Sequence, residues 1–136
     1  MSIEIRRDPS AKMRHHVRVG RHGFDVDEPP ANGGEDRGPT PHDLYDSALG
    51  ACKALTLLWY ARRKQIPLQD IGVTVERDDS QEREGVYRLQ VTLQLGGALD
   101  DAQRQELLRV ADKCPVHKLM TQVHTEVATA LAPLPA

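Results

Sequence analysis

Two cysteines in this chain occupy sequence contexts that favour thiol chemistry. Cys52 lies on the apolar stripe of a predicted long helix, at the end of Ala48-Leu49-Gly50-Ala51-Cys52. Cys114 precedes Pro115 at a predicted break between helices. A sulfur at a helix start lies near free backbone N–H groups, which stabilise the thiolate over the thiol. Two such cysteines resemble a redox pair more than a structural crosslink.

Each cysteine also has a plainer interpretation. Free cysteine packs well as a small hydrophobe, so Cys52 could be a core residue, and Cys114 could simply cap a helix. Zinc binding is a further possibility, because Cys114 and His117 have C-x-x-H spacing. A structural zinc site needs a second close pair of ligands, however, and Cys52 has no cysteine or histidine near it in the chain.

Length and composition predict one domain, spanning residues 1–136, with an ordinary content of 39% hydrophobic and 28% charged residues. Residues 1–7 lack the apolar region of a signal peptide. The longest apolar stretch, residues 55–61, is too short to span a bilayer. We therefore expect a cytoplasmic protein with no membrane partner. In that reducing compartment a cysteine pair is more often catalytic or metal-binding than structural.

The charge distribution argues against nucleic acid as a partner. The net charge is −2, with cations concentrated in residues 6–21 and anions in residues 25–46. No aromatic residues interleave with the basic ones, so the sequence shows no platform for stacking bases. The two segments are typical of solvated faces that attract one another.

The elements that must position the two thiols begin with three predicted strands. Apolar residues alternate with polar ones in each strand, and glycines separate the last two: Ile3 and Ile5, Val17 and Val19, Phe24 and Val26. This alternation predicts hairpins or a meander. Residues 28–38 are rich in proline and glycine and predict a loop.

A long helix is predicted after this loop. Thr40 suits the N-cap, Pro41 the first helical position and Asp43 the acid of a capping box. The helix should end before Pro67, because proline disfavours the helical conformation of the preceding residue. Its breadth of apolar surface predicts burial against a sheet and a second chain. Its apolar stripe contains Leu44, Ala48, Cys52, Leu55 and Trp59.

The rest of the chain predicts two strands, a helix and a last strand. Apolar residues alternate over residues 71–75 and, with one change of phase, over 86–95. A second helix begins at Asp100, with Gln103 in the capping-box position, and Pro115 breaks it and opens a short helix. Residues 123–131 predict a final strand. The order is β-β-β-α-β-β-α-β, an α+β fold with an antiparallel sheet.

These motifs resemble those of the OsmC/Ohr family of osmotically inducible and organic hydroperoxide resistance proteins. The similarity is greatest to the OsmC-like branch and covers nearly all of the chain. It lies in Gly38-Pro39-Thr40-Pro41-x-Asp43-Leu44, Ala48-Leu49-Gly50-Ala51-Cys52 and Cys114-Pro115-Val116-His117. The resemblance implies an intertwined homodimer, with two long central helices at its middle and an active site at the subunit interface.

The resemblance also implies a chemistry, the thiol-dependent reduction of hydroperoxides, organic ones in preference, with no metal or organic cofactor. Cys52 would be the peroxidatic cysteine, which becomes a sulfenic acid, and Cys114 the resolving cysteine, which condenses with it to a disulfide. A thiol reductant of the dithiol type would then restore both thiols. The alternative is a member of the same fold that senses thiols or binds a small molecule without catalysis.

Two further site residues follow from the resemblance. Arg21 lies in a stretch similar to the arginine-bearing turn of the Ohr branch, where a guanidinium favours the thiolate of the reactive cysteine. Arg18 and Arg37 are its rivals. His42 stands where the Ohr pattern has a glutamate, and Asp43 supplies an acid one residue later. Asp43 either orients the arginine or only caps the helix.

Overall fold

The computed structural model describes residues 1–134. The chain divides into two compact units: residues 1–48 with 75–90, and residues 49–74 with those from 91 onward. The first unit begins with an antiparallel meander of strands β1 (Ile3–Arg7), β2 (His15–Val19) and β3 (His22–Val26). Gly20 makes the turn between β2 and β3 possible, because its φ of 61° lies in the left-handed region. The predicted meander is therefore confirmed.

The long helix α1 (Pro41–Lys64) begins at the predicted capping box. The Asp43 backbone N–H donates to Thr40 Oγ1 at 3.1 Å, and the Thr40 N–H donates to Asp43 Oδ2 at 3.0 Å. These bonds satisfy N–H groups that have no partner inside the helix. The helix ends before Pro67 as predicted, with Gln65 in a left-handed conformation at φ 57°.

The face of α1 that this chain buries differs from the predicted stripe. Residues of the predicted stripe are half-buried or exposed, and Leu55 and Trp59 are 69% and 59% exposed. The buried residues follow another line at helical spacing: Asp46, Leu49, Gly50, Lys53, Leu57 and Ala61. The single chain therefore covers one apolar side of α1 and leaves the predicted stripe open, and the predicted burial of that stripe against a second chain stays a prediction.

The second unit holds its core between α1 and α2 (Asp101–Ala111). Leu57, Ala61, Leu107 and Ala111 are almost fully buried there. Helix α2 has the predicted capping box, in which Asp100 and Gln103 exchange side-chain-to-backbone bonds. Helix α3 (Pro115–Thr121) follows after a short break, as predicted.

Strands β4 (Asp70–Asp78) and β5 (Arg88–Gly96) form a two-stranded sheet, separate from the β1-β2-β3 sheet. The mixed α+β class is confirmed. The predicted final strand is wrong, because residues 123–134 adopt neither helix nor strand and Val127 is 82% exposed. A strand needs a hydrogen-bonded neighbour, and within residues 1–134 this segment joins neither sheet.

Candidate active site

The two cysteines come together in the second unit, both as free thiols. Cys52 lies midway along α1, half-buried, with its sulfur 4.0 Å from Thr56 Oγ1. Cys114 is fully buried at the start of α3, close enough to Cys52 for that thiol to contribute to its raised pKa. The site therefore holds one thiol that solvent reaches and one that it does not.

The local sequence explains the position of Cys114. Helix α2 ends at Ala111, and Pro115 takes the first position of α3, where its missing N–H costs nothing. Cys114 is thereby the N-cap, in extended conformation at φ −65° and ψ 146°. Its Sγ accepts a hydrogen bond from the His117 backbone N–H at 3.4 Å. The helix-start position predicted for this cysteine is confirmed.

Cys114 favours its protonated form. Burial raises the pKa of the Cys114 thiol, because a charged sulfur loses its hydration. The His117 N–H opposes this by stabilising the thiolate, whereas the neighbouring Cys52 raises the pKa further and the Lys53 ammonium lowers it. The net effect is a raised pKa, so the buried Cys114 thiol keeps its proton more readily than a solvated one.

Lys53 is the residue of this site that sequence reasoning missed. It is only 3% exposed, and its Nζ donates to the Ala111 carbonyl at 2.7 Å and to His117 Nδ1 at 3.0 Å. Because an ammonium can only donate, His117 Nδ1 must be the accepting nitrogen of the ring. The available signal was the helical spacing of Leu49, Lys53 and Leu57, which places the lysine on the buried line.

Asp43 belongs to an ion-pair cluster in the first unit. Besides capping α1, it accepts from Arg77 Nη2 at 2.5 Å, and Asp46 accepts from Arg77 Nε at the same distance. Tyr87 donates its hydroxyl to Asp46 at 2.7 Å. The Thr40 N–H and then Arg77 lower the pKa of Asp43. The acid thus both caps the helix and binds an arginine, and that arginine is Arg77, which sequence reasoning did not name.

The three predicted arginines lie elsewhere in the first unit. Arg21 follows Gly20 in the turn between β2 and β3, and Arg18 in β2 pairs with Glu4 at 2.7 Å. Arg37 lies in the loop before α1, where its backbone N–H donates to Asp27 at 3.0 Å. The role predicted for Arg21 toward Cys52 stays a prediction.

His42 occupies the first turn of α1 and bonds to a glutamate. Its Nε2 lies 3.0 Å from Glu82 Oε1, and its ring meets Tyr87 edge-on at 6.0 Å. Pro41, His42, Tyr45, Glu82 and Tyr87 line a mostly apolar cavity of about 400 Å³. Among residues 1–134, no three histidine, cysteine or acidic side chains are grouped closely enough to hold a metal ion.

Comparisons with known proteins identify relatives of this chain. Residues 33–129 match the family model described as OsmC-like protein. A comparison with curated proteins found no match. Among the described residues, none of the helices is both long and apolar enough to cross a membrane.

Solved structures share the fold over most of their length. A putative osmotic stress induced and detoxification response protein from Psychrobacter arcticus superposes with a TM-score of 0.74 at 19% identity, over 91% of this chain and 88% of that one. The organic hydroperoxide resistance protein OsmC from Legionella pneumophila gives 0.65 at 20% identity, covering 90% of each chain. The organic hydroperoxide resistance protein OhrB of Bacillus subtilis gives 0.57 at 25% identity, over 90% and 92%.

Proposed function

The chain belongs to the OsmC-like protein family, and from this we propose that it is a thiol-dependent peroxidase that reduces organic hydroperoxides. One observation supports this function above the others. Two free thiols lie together, and the half-buried Cys52 is within reach of a substrate while the buried Cys114 is held ready behind it. That arrangement suits a peroxidatic and a resolving cysteine, respectively.

The proposed cycle has three steps. The Cys52 thiolate attacks one peroxide oxygen, the O–O bond breaks, and the alcohol leaves as Cys52 becomes a sulfenic acid. Cys114 then attacks the Cys52 sulfur, water leaves, and a disulfide forms. A dithiol reductant attacks the disulfide and returns both cysteines to thiols. The raised pKa of Cys114 supports this order, because a protonated Cys114 leaves Cys52 as the first nucleophile.

The surroundings of Cys52 support an organic substrate. Leu55, Leu58 and Trp59 line an exposed cleft of about 430 Å³ together with Arg62 and Arg63. This cleft extends from about one to about three helical turns beyond Cys52 on α1. Each methylene that a substrate buries there adds roughly 0.8 kcal/mol to its binding. Hydrogen peroxide has no such group, so it should be the poorer substrate.

We propose that the active molecule is a homodimer of single OsmC-like domains spanning residues 1–136. Two apolar segments of this chain are exposed: the Leu55–Trp59 side of α1, and the segment after α3 that carries Val123, Val127 and Leu131. A second copy could cover the segment after α3 and border the Leu55–Trp59 cleft, so that the substrate would bind at the subunit interface that the resemblance implies; exposed apolar patches commonly mark such contacts. Analytical ultracentrifugation would test this, and a monomer at micromolar concentration would contradict it.

Arg21 and Asp43 complete the proposed site. We propose that Arg21 favours the Cys52 thiolate, on the similarity of its turn to that of the Ohr branch. Asp43 would set the start of α1, where its pairing with Arg77 takes the place of the acid–arginine pair expected from the resemblance. His42 stands at the position of the Ohr glutamate and bonds to Glu82, so a carboxylate lies beside that position.

Turnover of cumene hydroperoxide and hydrogen peroxide, with dithiothreitol as donor, tests the function. We expect faster consumption of the organic peroxide, complete loss in Cys52→Ser, and a single oxidation in Cys114→Ser. Mass spectrometry after one equivalent should find a Cys52–Cys114 disulfide in the parent protein and a trapped sulfenic acid in Cys114→Ser. If Cys114 reacts first, the two roles are reversed. If neither peroxide is consumed, the protein is a thiol sensor or a small-molecule-binding member of this fold.

A further inference from the structure

Lys53 places a buried positive charge at the turn that holds Cys114. Its ammonium binds the Ala111 carbonyl on one side of Cys114 in the chain and the His117 ring on the other. His117 in turn directs its backbone N–H at the Cys114 sulfur. Helix geometry sets Lys53 about 100° around α1 from Cys52, so the two residues point to adjacent faces of the helix.

The charge of Lys53 is poorly compensated in the resting protein. Its two nearest partners, a carbonyl oxygen and an imidazole nitrogen, are uncharged acceptors. Asp112 supplies an anion at 3.5 Å, but its side chain is 72% exposed and therefore screened by water. Buried charges are normally paired. A thiolate on Cys114 would supply the missing buried anion.

We propose that Lys53 is a positioning residue that stabilises the Cys114 thiolate during the redox cycle. The inference rests on the proposed function and adds a specific role in two of its steps. In the first, Cys114 loses its proton and attacks Cys52-SOH, forming the S–S bond as the hydroxyl leaves as water. In the second, a reductant thiolate attacks Cys52 Sγ, the S–S bond breaks, and its electron pair goes to Cys114.

The reductant attacks Cys52, because Cys52 is the more accessible sulfur. This attack expels Cys114 as a thiolate, and the Lys53 ammonium and the His117 N–H offset part of the cost of leaving that charge buried. The charged and titratable groups around Cys114 are Lys53, His117, Asp112, Cys52 and the exposed Lys113, and Lys53 is the buried cation among them.

The first test titrates Cys114 alone, by the ultraviolet absorbance of its thiolate in a Cys52→Ser background. Lys53→Gln keeps a hydrogen-bond donor for Ala111 but removes the charge, and Lys53→Arg keeps the charge. We expect the midpoint to rise by about one pH unit or more in Lys53→Gln, and to stay within a few tenths in Lys53→Arg. Lys113→Met removes an exposed charge beside Cys114 and should leave the midpoint in place. An unchanged midpoint in Lys53→Gln would overturn the proposal.

The second test separates this role from the function itself. After one equivalent of cumene hydroperoxide, Lys53→Gln should close the disulfide roughly tenfold more slowly than the parent protein, so that the Cys52 sulfenic acid accumulates and a sulfenic-acid trap captures more of it. Equal closure rates would contradict the role of Lys53. If the parent protein forms no sulfenic acid, the peroxidase function fails, and the titration above still decides whether Lys53 stabilises the Cys114 thiolate.

Discussion

Replacing Arg77 by methionine should destabilise the first unit, because the guanidinium joins two acids at the start of α1. Its Nε and Nη2 each lie 2.5 Å from a carboxylate oxygen, of Asp46 and Asp43 respectively. The Asp46 side chain is only 9% exposed, and without Arg77 its remaining side-chain partner is the Tyr87 hydroxyl. The substitution therefore leaves a largely buried carboxylate without its cation.

The magnitude follows from the exposure of each partner. Removing one partner of a buried ion pair costs about 3–5 kcal/mol. Arg77 itself is 33% exposed, and the Tyr87 bond to Asp46 survives, so the Asp46 contribution should be about 2 kcal/mol. Asp43 is 42% exposed, so its pair adds at most about 1 kcal/mol. A total of about 2–3 kcal/mol corresponds to a fall in Tm of roughly 10 °C for a chain of this size.

Urea unfolding of the parent, Arg77→Met and Arg77→Lys measures this loss. Arg88→Met is the matched control, because Arg88 lies in the neighbouring strand β5 and its bond to Gln81 is exposed. A double variant with Asp46→Asn should be less unstable than the sum of the two single variants. Equal stability of Arg77→Met and Arg88→Met would refute the reasoning.

The stability difference between the parent protein and Arg77→Met should depend on pH in a predictable direction. The lowered pKa of Asp43 comes first from the Thr40 N–H and then from Arg77. Its stabilising contribution is present above the ordinary carboxyl pKa of 3.8 and is lost as pH falls through the lowered value. The difference in unfolding free energy between parent and Arg77→Met should therefore be largest near neutrality and shrink below about pH 4.

Three other predictions follow from the described contacts. Arg21→Met should slow peroxide consumption about tenfold or more with the fold intact, and an unchanged rate would move the role to Arg18 or Arg37, tested as parallel variants. Burial and the bond to Asp46 raise the pKa of Tyr87 from 10.0 to about 12. The protonated Tyr87 therefore stabilises the protein fully below about pH 10, and this stabilisation is lost as the pH rises through about 12. In urea unfolding at alkaline pH, Tyr87→Phe should not show this loss of stability. Leu57→Ala should lower the free energy of unfolding by about 2–5 kcal/mol, because Leu57 is fully buried. Leu55→Ala should lower it little in a monomer, because Leu55 is exposed. An equal loss of stability in both variants, independent of protein concentration, would contradict the burial of the Leu57 side of α1.

Local signals in the sequence predicted most of the fold. The capping boxes at Thr40 and Asp100 fixed where two helices begin, because each satisfies backbone groups within its own first turn. Alternation and glycines likewise gave the β1–β3 meander. The buried side of α1 was not predictable in this way, because it depends on which helix and strands pack against it and not on α1 itself.

The candidate site was predictable only where it depends on motifs. Cys52 and Cys114 follow from the resemblance and come together in the second unit. Lys53 and Arg77 do not, because their partners are far away in sequence: Lys53 binds Ala111 and His117, and Arg77 binds Asp43 and Asp46. A charged residue on a helix or strand is usually solvated, and only tertiary contacts show the exceptions.

The hydrogen bond at the N-cap of α3 should make a backbone amide of the protein report on the oxidation state of Cys114. The strength of the hydrogen bond from the His117 N–H to the Cys114 sulfur depends on the electron density at that sulfur. When the disulfide forms, that sulfur exchanges its S–H bond for a bond to the Cys52 sulfur, so the hydrogen bond from the His117 N–H changes in strength. The amide resonance of His117 should therefore move between the reduced and oxidised forms, which would let the redox state be followed in solution without a dye, a mutation or a change in the chain.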